Sequence, residues 1–146
     1  MAKATFRIWR TSDAVPDAAP AGGAFQDYTA DISEGMVVLD AVHQIQADQA
    51  PDLAVRWNCK AGKCGSCSAE INGRPRLMCM TRLSDLNLAA PVTVEPMRAF
   101  TPIRDLVTDV KWNFAIKTQI QKFTPRAPDA PDGSWRMAQA DVDRVQ

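Results

Sequence analysis

Asn58-Cys59-Lys60-Ala61-Gly62-Lys63-Cys64-Gly65-Ser66-Cys67, answered by Leu77-Met78-Cys79, is the stretch on which the reading of this chain turns, because it holds all four cysteines of the 146 residues. The first three follow a C-x4-C-x2-C spacing, the run that wraps a loop around one edge of a plant-type 2Fe-2S cluster, with Cys79 as the candidate fourth ligand. Between Cys67 and Cys79 lies Asn72-Gly73, the strongest short signal for a two-residue hairpin turn. With these two residues at the turn, Cys67 falls opposite Met78 and Cys79 one step beyond. The hairpin therefore carries the last cysteine back to the first three.

Gly62 and Gly65 supply backbone conformations closed to other residues and are expected to bring N–H groups close to the sulfurs. Lys60, Lys63 and Arg56 add positive charge around a cluster whose core and thiolates sum to negative charge. Dipoles and cations of this kind favour the added electron, which predicts a potential above the roughly −400 mV of plant-type ferredoxins.

Other chemistries use the same residue type. A structural zinc site takes four thiolates, but usually as two short C-x2-C hooks across a longer insert, and only one hook is present. Cys64-Gly65-Ser66-Cys67 as a thioredoxin-like pair would need its first cysteine at a helix N-terminus, whereas a strand-like run and a turn follow it. A disulfide framework suits short secreted chains, and this one begins without a signal peptide pattern. The single histidine, His43, excludes Rieske centres, two-cysteine two-histidine fingers and H-E-x-x-H enzymes. His43 lies in a helical pattern and is expected on its solvent side.

With 46% hydrophobic residues the chain can bury a core of its own. Seventeen basic and seventeen acidic residues cancel, so no global field favours nucleic acid or an acidic membrane surface. No apolar run approaches the ~18 residues of a membrane span, so no direct membrane insertion is expected. Thiolate ligands without an export signal point to a reducing compartment, the cytoplasm in a bacterium.

Ala4–Arg10 alternates as a strand, with Phe6 and Ile8 on one face and Trp9 on the other, and Phe25–Ile32 reads as its partner. Thr11–Gly23 between them is a loop rich in proline, glycine and alanine. From Met36 to about Asp48 the period becomes helical, with Val38, Ala41, Val42 and Ile45 in one stripe and Pro51 past its end. Leu53–Trp57 reads as a short strand entering the cysteine loop, and Pro91–Pro96, with Val92 and Val94 on one face, as a last strand. The whole is α+β: the β-grasp arrangement of 2Fe-2S ferredoxins over residues 1–100. Residues 101–146 read as a helical connector and the start of an incomplete second domain. In them Ile103–Phe123 predicts a helix with two apolar stripes, Ile103, Leu106, Val107, Val110 and Phe114 on one side, Trp112, Ile116, Ile120 and Phe123 on the other. Met137–Gln146 reads as the beginning of a further helix.

At this point the residues resemble a known family, the iron-sulfur subunit of succinate dehydrogenase and fumarate reductase. The likeness runs through Gly35-Met36-Val37-Val38-Leu39-Asp40-Ala41, Cys59 to Cys67, Ile71-Asn72-Gly73, Leu77-Met78-Cys79, Val94-Glu95-Pro96-Met97 and Ile103-Arg104-Asp105-Leu106-Val107. Lys60 stands where the family more often has arginine, which keeps the charge and loses the planar fork of donors. The resemblance implies that a 2Fe-2S cluster on Cys59, Cys64, Cys67 and Cys79 exchanges single electrons with the FAD of a flavoprotein subunit. It implies no substrate site in this chain itself. It implies further a 4Fe-4S and a 3Fe-4S cluster in a second helical domain, which this chain would lack, leading to quinone at membrane anchor subunits. A complex of this kind would hold the chain peripherally on the cytoplasmic face of the inner membrane. The small iron-sulfur subunits of molybdenum hydroxylases resemble the cysteine spacing too. A free-standing ferredoxin and a four-cysteine zinc module remain the alternatives.

Overall fold

The structure, a computed structural model, describes residues 2–11, 22–122 and 124–145. Two compact units divide the chain, Met1–Trp112 and Asn113–Gln146.

The first unit is built on a long hairpin. Strand β1 (Ala2–Thr11) pairs antiparallel with β2 (Gly23–Ile32), Phe6 opposite Tyr28. Alternation in β1 sends Ala4, Phe6 and Ile8 to the buried side, and Trp9 packs edge-on against Phe25 outside the core. The expected loop between these strands lies largely outside the described residues. Helix α1 (Val38–Asp48) crosses the sheet and buries Val38, Leu39, Ala41, Val42 and Ile45. Strands β3 (Ser68–Ile71) and β4 (Arg74–Leu77) form the predicted hairpin, and β5 (Val92–Glu95) runs parallel to β1 and antiparallel to β3. The five-stranded order β2-β1-β5-β3-β4, with one helix packed on it, is the β-grasp arrangement. Val92 and Val94 join Phe6, Ile8, Ile45 and Leu53 in a single core.

The start of α1 is tied to the hairpin. Asp40 accepts the Val37 amide through Oδ2 at 3.0 Å, which closes the first turn. The next orphan donors reach across the fold: the Val38 amide to the Thr81 carbonyl at 2.9 Å and the Leu39 amide to the Met78 carbonyl at 3.1 Å. These carbonyls flank Cys79, so the helix N-terminus fixes the backbone on either side of that cysteine.

Two segments depart from the sequence reading. Leu53–Trp57 joins no sheet: Leu53 stays bonded to Ala50 and Gln46, while Ala54 meets Asp105 and Leu106 and Arg56 reaches the Thr108 carbonyl. The helix expected over Ile103–Phe123 shortens to α2 (Lys111–Gln119), preceded by a small hairpin of β6 (Pro102–Arg104) and β7 (Val107–Thr108). The hairpin turns at Asp105, whose φ of +44° lies in the left-handed region. Its amide donates to Thr11 Oγ1 at 2.7 Å, and its buried carboxylate accepts from Thr11 N at 2.8 Å, Ala54 N at 2.8 Å and Arg10 Nε at 3.2 Å. Those distant partners outcompete the local helical pattern. Of the expected stripe Leu106 is buried, while Ile103 is 54% exposed. On α2, Trp112, Phe114 and Ile116 are exposed, as is Ile120 just past its end, and Phe123 lies outside the described residues. The second unit contains α3 (Gln139–Val145), where the sequence predicts a helix beginning.

Candidate iron-sulfur site

The loop from Cys59 to Cys67 joins the segment after α1 to strand β3, and Cys79 follows β4. The hairpin register delivers the fourth cysteine as the sequence requires. Ser68 pairs with Leu77 and Ile71 with Arg74, and the ladder continues with the Met78 amide donating to the Cys67 carbonyl at 3.0 Å. Asn72 and Gly73, at φ +50° and +70°, make the turn that matches strand twist.

Backbone amides converge on the sulfurs. Ala61 N and Lys63 N lie 3.3 Å from Cys59 Sγ, and Cys64 N lies 3.4 Å from the same atom. Ser66 N lies 3.4 Å from Cys64 Sγ, and Cys79 N lies 3.5 Å from Cys67 Sγ. The sequence expects Gly62 and Gly65 to turn the backbone so that N–H groups come close to the sulfurs. In the structure those glycines, at φ +69° and +74°, turn the chain so that their neighbours' amides point at sulfur. Gly62 is also confined by space, since a Cβ there would sit 2.9 Å from Met80 Cγ and Sδ. Met80, just after the last cysteine, therefore packs over the loop, a contact no spacing rule announces.

The four thiols differ in surroundings. Cys64 is exposed, Cys59 half-buried, and Cys67 and Cys79 buried. Hydrogen bonding from the Ser66 side chain, then from the backbone at Cys59 and Ser66, brings the Cys64 thiol down to about 6. Burial, opposed by the Cys79 amide, pushes the Cys67 thiol up. The Cys64 amide donates to Cys59 Sγ and the Cys79 amide to Cys67 Sγ, so the cysteines are joined in two pairs. Among the described residues no three histidine, cysteine or acidic side chains converge on one point as a single-ion site would require. Two thiolates on each side is the donor set of a two-iron centre, and amides directed at sulfur are what such a centre needs to carry negative charge. The residues present therefore fit a 2Fe-2S cluster.

The basic residues around the loop are also placed. Arg56 donates through a terminal nitrogen to the Thr108 carbonyl at 3.2 Å. Lys60, at φ +53°, lays its Nζ 4.7 Å from the centroid of the Trp57 ring. His43 is not on the solvent side of α1: its ring meets Trp57 edge-on at 4.8 Å, and its Nε2 is buried without a hydrogen-bond partner. The helical pattern alone puts His43 on the solvent side, because nothing local announces a tryptophan fourteen positions later in the chain.

A β-grasp sheet carrying one cysteine loop with amides aimed at its sulfurs is a ferredoxin-type protein with a 2Fe-2S cluster as its cofactor. The 2Fe-2S iron-sulfur cluster binding domain family matches residues 5–115. The chain belongs to that family. It is 39% identical over 121 residues to the fumarate reductase iron-sulfur subunit of Mycobacterium tuberculosis, a match that covers 82% of this chain and 49% of that protein. To the mitochondrial succinate dehydrogenase [ubiquinone] iron-sulfur subunit 1 of Oryza sativa subsp. japonica it is 31% identical over 143 residues, covering 97% of this chain and 49% of that one. Among solved structures, a chain of the Mycobacterium smegmatis Sdh1 complex in the apo form is 54% identical, with a TM-score of 0.76 over 99% of this chain and 57% of that chain. The chain thus spans about half the length of the curated relatives it matches. Among the described residues no helix is long and apolar enough to cross a membrane.

Proposed function

We propose that Cys59, Cys64, Cys67 and Cys79 are the four cluster ligands, Cys59 and Cys64 on one iron and Cys67 and Cys79 on the other. On this reading the chain acts within a succinate dehydrogenase or fumarate reductase as its iron-sulfur subunit. It passes single electrons between the FAD of a flavoprotein subunit and further clusters leading to quinone. The observation that carries the reading is the set of amides from Ala61, Lys63, Cys64, Ser66 and Cys79 directed at cysteine sulfur.

The bound cluster supplies one-electron storage. The chain supplies the rest: the loop amides and Lys60 stabilise added negative charge, Met80 covers the loop at Gly62, and α1 holds the backbone around Cys79 in place. On this reading the chain carries no substrate site of its own and serves chemistry done on a partner. The domain organisation belongs to the same proposal: a cluster-binding domain first, then a connector from about residue 101 into a second domain that holds the 4Fe-4S and 3Fe-4S clusters. The β6–β7 hairpin at the start of that connector is tied to the cluster domain, because its Asp105 binds β1 and the segment entering the loop. Contact with anchor subunits through that second domain would place the chain peripherally at the cytoplasmic face of the membrane.

Electron paramagnetic resonance of the anaerobically purified, dithionite-reduced protein tests the reading, alongside iron and acid-labile sulfide counts. A spin-half signal with about two irons per chain is the expected result. A silent protein carrying one zinc would overturn it.

A further inference from the structure

Lys60 is an L-residue in the left-handed region, immediately after the first cysteine, and it has no glycine's freedom to be there. Its backbone turn is what allows the Ala61 and Lys63 amides to fold back onto Cys59 Sγ. The contact that holds its side chain is with Trp57, over whose face the ammonium lies. Trp57 is itself 46% exposed, so a tryptophan in this position would ordinarily swing between rotamers. It is held by His43 from α1, whose ring meets it edge-on. Helix, indole and ammonium are thus joined through Trp57, and the ammonium belongs to the residue that follows Cys59.

We infer that Trp57 is a positioning residue for the cluster's potential: wedged between His43 and Lys60, it fixes one positive charge next to Cys59. This rests on the proposed ligand set. A lysine free in water is hydrated, mobile and screened within a Debye length, so it stabilises an added electron weakly. The same ammonium held on a ring at the loop stays close to the charge that develops on reduction. Lys63 is also exposed on the loop, but among the described residues it is Lys60 that lies over an aromatic ring, which makes Lys60 the cation whose placement depends on Trp57.

The test is the reduction potential of the cluster-loaded protein, measured by titration monitored by electron paramagnetic resonance. The variants are Lys60→Gln, Trp57→Leu and the two combined. Lys60→Gln is expected to lower the potential, Trp57→Leu to lower it by a comparable shift although every charge is retained, and the double variant to go no lower than Lys60→Gln alone. A wild-type potential in Trp57→Leu, an unchanged potential in Lys60→Gln, or additive shifts in the double variant would each overturn the inference. Should Trp57→Leu fail to hold its cluster, His43→Leu removes the support of the ring from the other side, and Trp57→Phe keeps an aromatic face. The first should lower the potential and the second should retain it, and the reverse pattern refutes the role. Absence of a spin-half signal in the wild-type protein would instead strike the cluster assignment itself, so the two failures are told apart.

Discussion

Asp105 accepts the amide of Ala54 through Oδ2 at 2.8 Å, joining two residues 51 positions apart. Ala54 begins the segment that enters the cysteine loop, and Leu106 N returns the contact to the Ala54 carbonyl at 3.2 Å. One carboxylate, 1% exposed, therefore ties the end of β1, the entry to the cluster loop and the β6–β7 hairpin together.

Removing that carboxylate should be among the most destabilising single changes in the first unit. Asp105→Ala leaves two amides without their acceptor and the Arg10 side chain, only 11% exposed, without a buried partner. A loss of about 3–5 kcal/mol is expected for breaking such a pair. Asp52→Ala, which removes an exposed partner of the same Arg10, should cost no more than about 1 kcal/mol. Denaturant unfolding of the cluster-loaded variants, followed by visible absorbance, compares the two, and equal losses would contradict the ranking.

In the cluster-free chain the cysteines should react in a definite order. Cys64 is exposed and its thiol sits at about 6, whereas Cys67 is buried with its thiol pushed up. Alkylation by iodoacetamide near neutral pH should therefore mark Cys64 first and Cys67 last, because the thiolate is the nucleophile. The Cys64 rate should rise through a midpoint near 6. Peptide mapping at successive times reads the order, and early labelling of Cys67 would refute it.

His43 should titrate below an ordinary histidine. Burial first, and the Lys60 charge second, hold its imidazole below 6.5 against the opposite pull of Asp40. The unfolded chain then binds a proton at a pH where the folded chain does not, so this group makes stability fall as pH drops below about 6.5, until the folded imidazole is protonated too. Because the chain contains one histidine, its ring C–H signals need no assignment by mutation. Proton NMR across pH 5 to 8 should place the midpoint low, and a midpoint above 6.5 would mean the ring is not packed under Trp57.

The turn that returns Cys79 should tolerate little. Gly73→Ala puts a Cβ at φ +70°, where nothing crowds it but the backbone itself is strained, a cost of about 1–2 kcal/mol. Asn72→Ala strains the preceding residue in the same way and also removes the Oδ1 that accepts the Thr93 amide at 2.9 Å, so it should cost more. Unfolding midpoints of the two variants test the order, and a smaller loss for Asn72→Ala would reverse it.

The cysteine spacing and the Asn72-Gly73 turn were legible in the residues because both are local. A two-residue turn sets a register, and from Ser68 opposite Leu77 it follows where Cys79 must arrive. The same holds for the alternation that buries Phe6 and Ile8 and the stripe that buries Val38, Val42 and Ile45, since burial on one face is a periodic property of sequence.

What the tertiary structure alone decided lies where distant groups compete with local preference. A helical pattern over 103–110 yields to a hairpin because Asp105 finds Thr11, Ala54 and Arg10. Leu53–Trp57 joins no strand for the same reason, its Ala54 amide being taken by Asp105. Glycines mark where the loop turns, but which amides face sulfur depends on how the whole loop closes, and they prove to be those of Ala61, Lys63, Cys64 and Ser66 within the loop. The stack of His43, Trp57 and Lys60 joins a helix to a loop through contacts that have no period and no spacing, so only the folded chain could bring them together.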